Sequence, residues 1–240
     1  MTITAIDQSQ SAAAKIAGLA GLLSLPFVLV ANFGIYQRLT VAGDAAQTAR
    51  NIIANEGVFR VAIACNLLYA AGLIVLVPAF YVILRPVDKN LALIAAFWRF
   101  VYALMWIRII LNMFDALRLL GGAKYLGVFG PGQMPALAKA YLSAGGDDYY
   151  VGLLFWSLAA TVCGYLWLKS RYIPRPFAAF GLIASAWCVL CTLFFIIDPG
   201  FEKLVNLWWF DSPMALFEIA LSVSLLIRGL EPRALSVAGV

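Results

Sequence analysis

The side chains of this chain that are best suited to chemistry are charged groups inside apolar segments. Arg99 and Arg108 lie nine residues apart in one such segment, and Glu218 lies in another. A charge at membrane depth costs at least ~2.5 kcal/mol, so it usually has a partner and often a purpose. Glu218 and Asp115 are the candidate acids for general acid catalysis. Arg60 and Arg108 are the candidate anchors for the anionic head of a ligand.

Helical phase separates the two arginines of the shared segment. An α-helix turns about 100° per residue, so Arg99 and Arg108 point to opposite sides. Tyr102 and Trp106 share the side of Arg99 toward the inner half, where they are positioned to stack on its guanidinium. We interpret that side as inter-helix packing. Asn112 and Asp115 share the side of Arg108 in the outer half, which is the better candidate for a site.

The polar groups of the outer half predict an intramembrane pocket framed by the second, third, fifth and sixth spans. Glu218 needs a partner in lipid, and Arg108 or Arg60 is expected to supply it. The predicted ligand-binding residues are Arg60, Asn66, Tyr69, Arg108, Asn112 and Trp156, with Asp115 and Glu218 as candidate acids and Trp187 and Phe195 as further walls. The competing interpretation is that these polar side chains only hold the helices together.

The elements that must position these residues are membrane spans. The 240 residues are 64% hydrophobic and 12% charged, far from the average of about 25% charged in soluble domains. Six apolar segments reach the ~17–25 residues that a spanning helix needs. They are residues 13–36, 58–84, 91–117, 149–168, 176–197 and 213–230. The predicted fold is therefore all-α, a polytopic membrane helix bundle with six transmembrane helices.

The distribution of basic residues predicts the orientation of the bundle. Short loops on the cytoplasmic side are enriched in Lys and Arg. One side of this chain carries Lys15, Arg85, Lys89, Lys169, Arg171, Arg175, Arg228 and Arg233, whereas the longer opposite loops, which include Lys124, hold most of the acids. This predicts an N-in, C-in topology. The domains follow as a polar tail (1–12), one transmembrane domain (13–230) and a C-terminal tail (231–240).

The outer loops predict short interfacial helices. Residues 44–56 form an amphipathic pattern capped by Asp44. A second helical pattern, 134–142, follows Gly130-Pro131-Gly132, and Trp208 begins a group of interface anchors. We interpret these segments as interfacial loops rather than as a lid.

Several functions are excluded or disfavoured by composition. The chain has no histidine, which argues against bis-His haem, His-rich di-iron sites, most zinc sites and a Ser–His catalytic pair. No metal and no cofactor is therefore expected. The net charge of +5 follows membrane topology, so no nucleic-acid partner is expected. The Cys188-x-x-Cys191 spacing lies inside an apolar helix, where free cysteines pack as small hydrophobes.

Motifs distributed over most of the chain resemble a bacterial family of multi-pass proteins, domain of unknown function 4386. They are Glu56-x-x-x-Arg60, residues 84–93, Trp98-Arg99-Phe100, residues 164–166, residues 170–175, and Pro213 with Glu218. The resemblance implies six helices and the bacterial cytoplasmic (inner) membrane, and it implies no activity. Members often carry an acid where this chain has Asn66 and a histidine where it has Trp156-Ser157, which argues against an acid–base role there.

Four function classes stay open from the sequence, of which transport is the weakest, because the helices show no paired breaks beyond Pro26 and Pro78. The first is binding of a lipid, isoprenoid or other apolar small molecule in the outer-half pocket. The second is an intramembrane enzyme that uses Glu218 or Asp115 as the acid on an isoprenoid-like substrate. The third is an interaction subunit with a membrane-protein partner or a second copy of the chain.

Overall fold

The computed structural model describes residues 6–122, 130, 132–206 and 208–231, except the side chains at positions 199 and 202. Most of these residues are helical, and none of them forms a strand. The helices are α1 (Gln8–Leu39), α2 (Ala45–Ala54), α3 (Glu56–Leu84), α4 (Lys89–Leu120), α5 (Gln133–Ser170), α6 (Arg175–Ile197) and α7 (Trp208–Ile227). A 3₁₀ turn, Pro199–Lys203, joins the last two.

Six of these helices, α1 and α3 to α7, are long and apolar enough to cross a membrane. The prediction of an all-α protein with six transmembrane helices is confirmed, and the chain is a multi-pass membrane protein. The predictions for Lys124, Arg233 and Pro131 lie outside the described residues, as do residues 1–5 of the N-terminal tail and residues 232–240 of the C-terminal tail.

The first helix begins earlier than the predicted start at residue 13. Asp7 and Gln10 form a reciprocal cap: the Gln10 N–H donates to Asp7 Oδ1 (2.7 Å), and the Asp7 N–H donates to Gln10 Oε1 (3.2 Å). The Gln10 N–H and then the Ser9 hydroxyl lower the pKa of Asp7. The cap therefore stabilises α1 fully above the ordinary carboxyl pKa, and this contribution is lost as the pH falls through the lowered value.

Helix α2 confirms the predicted amphipathic helix capped by Asp44, although it ends at Ala54 and Glu56 already begins α3. Asp44 accepts a hydrogen bond from the Gln47 N–H at 2.7 Å, and the buried face consists of Thr48, Ala49 and Ile52. The Thr48 hydroxyl also bonds the Val41 backbone, which fixes the turn before the helix.

Removal of this cap has a defined expected cost. Asp44→Ala should destabilise α2 by about 1 kcal/mol, because one helix-end N–H loses its acceptor. Hydrogen exchange of the α2 amides should then accelerate roughly fivefold, whereas Asp44→Asn, which keeps an acceptor, should exchange at close to the native rate. Equal exchange in Asp44→Ala and the native chain would show that tertiary contacts alone hold α2.

Helix α5 is longer than the fourth predicted span, which began at residue 149. It starts at Gln133 and includes the predicted loop pattern 134–142, so that pattern is not a separate helix. Gly145 and Gly146 are helical because an interior glycine costs only about 1 kcal/mol relative to alanine. Tertiary contacts of the outer segment offset that cost: Ala138 and Leu142 are buried, and Tyr36 Oη bonds the Leu142 carbonyl oxygen at 3.4 Å.

The last helix ends before the predicted boundary at residue 230. Gly229 has φ +71°, a conformation that favours glycine, and its N–H bonds the Ser224 carbonyl oxygen. Within α1, residues Val30–Tyr36 form a π-helical segment, where Asn32 Nδ2 donates to the Val28 carbonyl oxygen at 3.0 Å.

The chain divides into two compact units. Unit 1 comprises Met1–Leu22, Leu73–Tyr102 and Leu153–Val240, and unit 2 comprises Leu23–Gly72 and Ala103–Gly152. Helices in unit 1 approach each other closely at glycines: Gly18 and Gly21 on α1 face Ser222 on α7, and Gly164 on α5 faces Leu182 on α6. Unit 2 contains the interfacial helix α2 and the outer segment of α5.

Candidate functional site

In unit 2, an acid that we did not predict, Asp148 on α5, organises the outer polar cluster. Arg108 Nε on α4 lies 3.0 Å from Asp148 Oδ1, and Asn112 Nδ2 donates to Asp148 Oδ2 at 2.8 Å. The Asp148 side chain is 11% exposed, whereas the Arg108 side chain is 61% exposed. Asp148 therefore contacts Arg108 at Nε, while most of the Arg108 side chain is exposed. The signal in the sequence was an acid pair, Asp147-Asp148, directly before the predicted span.

This arrangement is suited to anion recognition. A guanidinium presents five N–H donors in a planar fork that matches phosphate and carboxylate oxygens. Asp148 and Asn112 together restrict the orientation of that fork, which lowers the entropy lost on binding a ligand.

Aromatic side chains of unit 2 lie next to this cluster along the chain. Tyr149, which follows Asp148, lies 6.3 Å from Trp106 between ring centroids, and Trp106 lies 4.7 Å from Tyr69 in an edge-to-face geometry. Tyr69, a predicted ligand-binding residue, thus belongs to a row of rings on α3, α4 and α5. Trp106, in the middle of the row, is buried, so these rings pack α3, α4 and α5 together.

Asn66, another predicted ligand-binding residue, is fully buried in unit 2. Asn66 Oδ1 accepts from Asn32 Nδ2 at 3.2 Å, and Asn66 Nδ2 lies 3.6 Å from Met113 Sδ. The amide therefore ties α1, α3 and α4 together. Polar amides commonly connect membrane helices in this way.

Two outer charges have partners on their own helices. Arg60 binds Glu56 at 2.8 Å on α3, and Asp115 binds Arg118 at 3.0 Å on α4. The expectation that Arg60 is available to Glu218 is therefore wrong. The physical reason is that i, i+3 and i, i+4 neighbours are close on any helix and need no tertiary rearrangement to pair.

The partner of Glu218 is Arg99, in unit 1, and neither Arg108 nor Arg60. Arg99 donates from both terminal nitrogens, at 2.6 Å to Glu218 Oε1 and 3.2 Å to Oε2. Trp156 Nε1 donates to Glu218 Oε1 at 2.9 Å. Arg99 is 2% exposed and the Glu218 side chain 17%, so this largely buried ion pair joins α4, α5 and α7.

The aromatic environment of Arg99 also differs from the predicted one. Its guanidinium lies over the ring of Phe80, 4.7 Å from the centroid, whereas Tyr102 stacks on Trp156 at 5.1 Å. Both Glu218 oxygens already accept hydrogen bonds, so its carboxylate is arranged as an acceptor rather than as a proton donor. The cluster therefore has the geometry of an inter-helix tie, and the interpretation of Arg99 as packing fits its contacts.

A narrow cleft adjoins Arg99 and is otherwise lined mostly by apolar residues, including Phe80, Ala95 and Cys163. Its walls leave no room for even a water-sized molecule, so it does not have the dimensions of a small-molecule site. The predicted wall residues Trp187 and Phe195 also lie in unit 1, where Trp187 Nε1 bonds the Trp209 carbonyl oxygen at 2.7 Å. These two side chains pack α6 against the start of α7.

Potential metal ligands of the described residues are dispersed, and three of the cysteines are buried. No group of three or more His, Cys, Asp or Glu residues there has the arrangement of a metal site. Cys163, Cys188 and Cys191 are buried free thiols, and Cys188 Sγ lies 3.9 Å from Thr192 Oγ1.

Comparison with known proteins gives a family match. The family model described as Domain of unknown function (DUF4386) matches residues 16–229, which covers α1 from residue 16 onward and the whole of α3 to α7. No curated protein and no solved structure matches the chain.

Proposed function

The chain belongs to the DUF4386 family, and for this member we propose binding of an amphiphilic lipid, or a related apolar small molecule with an anionic group, beside Arg108. The proposal places the protein in the bacterial cytoplasmic membrane, as the family resemblance implies. Of the predicted ligand-binding residues, Arg108 binds the anionic group in this proposal, and Asn112 shares its partner Asp148. Tyr69 packs on Trp106. The other three, Arg60, Asn66 and Trp156, have partners elsewhere.

The observation that supports the proposal is an exposed guanidinium on a membrane-spanning helix. The Arg108 side chain is 61% exposed, although it follows an apolar stretch of α4. Exposure at this depth is costly unless the charge reaches polar groups of the bilayer. Asn112 follows one turn later and Asp115 two turns later, so Arg108 lies near the polar end of the span. From there a long side chain extends toward the lipid headgroups.

A lipid phosphate offsets this cost in a way that solvent does not. Asp148 contacts Arg108 at Nε, 3.0 Å from Oδ1, and the Arg108 side chain is still 61% exposed. A charge-assisted hydrogen bond contributes about 1.5–3 kcal/mol. Tyr149, which is half-buried and directly follows Asp148, supplies apolar contact for the first part of the chains.

The test compares two arginines of one helix. Arg108→Gln should lower the amount of co-purifying lipid at least about tenfold, because it removes a charge-assisted bond of about 1.5–3 kcal/mol. Arg118→Gln is the matched control: its side chain is 62% exposed and its carboxylate partner is also at 3.0 Å. Lipid is quantified by mass spectrometry after purification in mild detergent.

The same preparation separates the alternative functions. Equal lipid content in Arg108→Gln and Arg118→Gln would contradict the proposal. Co-purification of a second protein in place of lipid would favour an interaction subunit. An intramembrane enzyme requires Glu218 or Asp115 as acid, and Arg99 and Arg118 occupy those carboxylates.

A further inference from the structure

We propose that the Arg108 site selects a headgroup carrying both a phosphate and a primary ammonium group, as in phosphatidylethanolamine. The inference rests on the proposed function and names its ligand class. It starts from the neighbouring charges rather than from Arg108 alone.

The charge count around Arg108 disfavours a simple anion. Arg108 contributes +1, whereas Asp148 beside it and the exposed Asp147 next in the chain contribute −2, which leaves −1. Further along α4, Arg118 is bound to Asp115, so that pair adds no net charge. An anionic headgroup would be attracted by Arg108 and repelled by two carboxylates. A headgroup that carries a cation beside its phosphate is attracted both by Arg108 and by the carboxylates.

Asp148 has acceptor capacity left for a further donor, at a side chain that is 11% exposed. Each of its oxygens accepts one contact, from Arg108 and from Asn112. An ionised carboxylate has about four acceptor positions, so it can accept additional N–H groups. The phosphate and ammonium of ethanolamine phosphate are separated by two carbon atoms, which suits a cation and a carboxylate in direct contact on the protein.

Adjacent aromatic rings attract the ammonium group of the headgroup, but they do not distinguish a primary from a quaternary ammonium. Tyr149 and Tyr150 directly follow Asp148, are half-buried, and have ring centroids 5.5 Å apart. Aromatic faces attract both primary and quaternary ammonium groups. Only a primary ammonium donates hydrogen bonds to a carboxylate, so Asp148 is the residue that distinguishes ethanolamine from choline.

The experiment titrates the purified full chain with lipids of matched acyl chains and measures bound lipid by native mass spectrometry. Phosphatidylethanolamine should bind at least about tenfold more tightly than phosphatidylcholine or phosphatidylglycerol. N-methyl and N,N-dimethyl phosphatidylethanolamine should be intermediate, which tests the inference on the native chain without any variant. Equal binding of all five lipids would overturn it.

Variants assign the preference to Asp148. Asp148→Asn should reduce the preference for phosphatidylethanolamine over phosphatidylcholine to less than about threefold and strengthen phosphatidylglycerol binding, whereas Asp115→Asn should keep the native preference. An unchanged preference in Asp148→Asn would contradict the assignment. Free phosphoethanolamine at the lipid concentration should displace little lipid, and complete displacement would assign the site to a soluble ligand.

The outcomes separate this inference from the proposed function. If Arg108→Gln weakens every lipid equally and the native chain shows no headgroup preference, lipid binding stands and selection fails. If Arg108→Gln weakens none, the proposed function itself fails.

Discussion

Glu218→Ala is expected to destabilise the protein by about 3–5 kcal/mol, the largest single effect of those considered. The change leaves the Arg99 guanidinium buried at 2% exposure without its carboxylate and removes the acceptor of Trp156 Nε1. Removing one partner of a buried ion pair costs this amount because the other charge stays desolvated and uncompensated. The free energy of unfolding is measured by denaturant titration of the purified protein in mild detergent, followed by tryptophan fluorescence.

Two control variants test whether the loss of stability comes from the unpaired buried charge. Glu56→Ala removes the carboxylate of an exposed pair, Arg60–Glu56, and should cost no more than about 1 kcal/mol. The double variant Arg99→Leu/Glu218→Leu removes both charges and should recover most of the loss. If Glu218→Ala and Glu56→Ala were equally stable, the buried pair would not be a principal tie between α4 and α7.

Gly164→Ala is expected to cost about 1–3 kcal/mol, because α5 and α6 touch at this position. A Cβ at residue 164 would lie 2.8 Å from the Cα and 3.0 Å from the backbone nitrogen of Leu182, closer than real Cβ atoms pack. Relief requires movement of a whole helix rather than of a side-chain tip, and overpacking of this kind destabilises by that amount. The same unfolding titration measures the effect.

A second glycine of α5 supplies the matched control. A Cβ at Gly146 meets nothing within 4 Å, so Gly146→Ala should be neutral or stabilising by up to about 1 kcal/mol through helix propensity. The two Gly→Ala substitutions on α5 should change the free energy of unfolding in opposite directions. Their difference therefore separates the effect of packing from that of helix propensity. Equal effects of the two substitutions would show that α5 and α6 separate at no measurable cost.

The spans were predictable because their signal is local. A run of about 20 apolar residues specifies a membrane helix wherever its neighbours lie, and Asp44 at the start of an amphipathic pattern specifies α2 in the same way. The boundaries were less predictable. Asp7 and Gln10 extend α1 through a cap, and the outer segment of α5 is stabilised by contacts such as Tyr36 with Leu142 that join distant parts of the chain.

The candidate site was predicted only in part, because helical phase relates residues of one helix and not residues of two. Helical phase correctly grouped Arg108 with Asn112, since both residues lie on one helix. It could not identify Asp148, because that acid lies on another helix and the sequence does not encode how two helices rotate about their axes. Asp115 seemed equally available to a ligand until the structure paired it with Arg118.

The sequence by itself determined that this chain crosses the membrane six times and carries charges within those crossings, because apolar length and residue type are local properties. Only the tertiary structure decided which charge meets which. Depth along an isolated helix suggested that Glu218 pairs with Arg108, whereas packing places it on Arg99 and Trp156 and leaves Arg108 to Asp148 and the exterior. The physical reason is that an ion pair forms over about 3 Å, and only the mutual rotation and approach of packed helices bring two side chains that close.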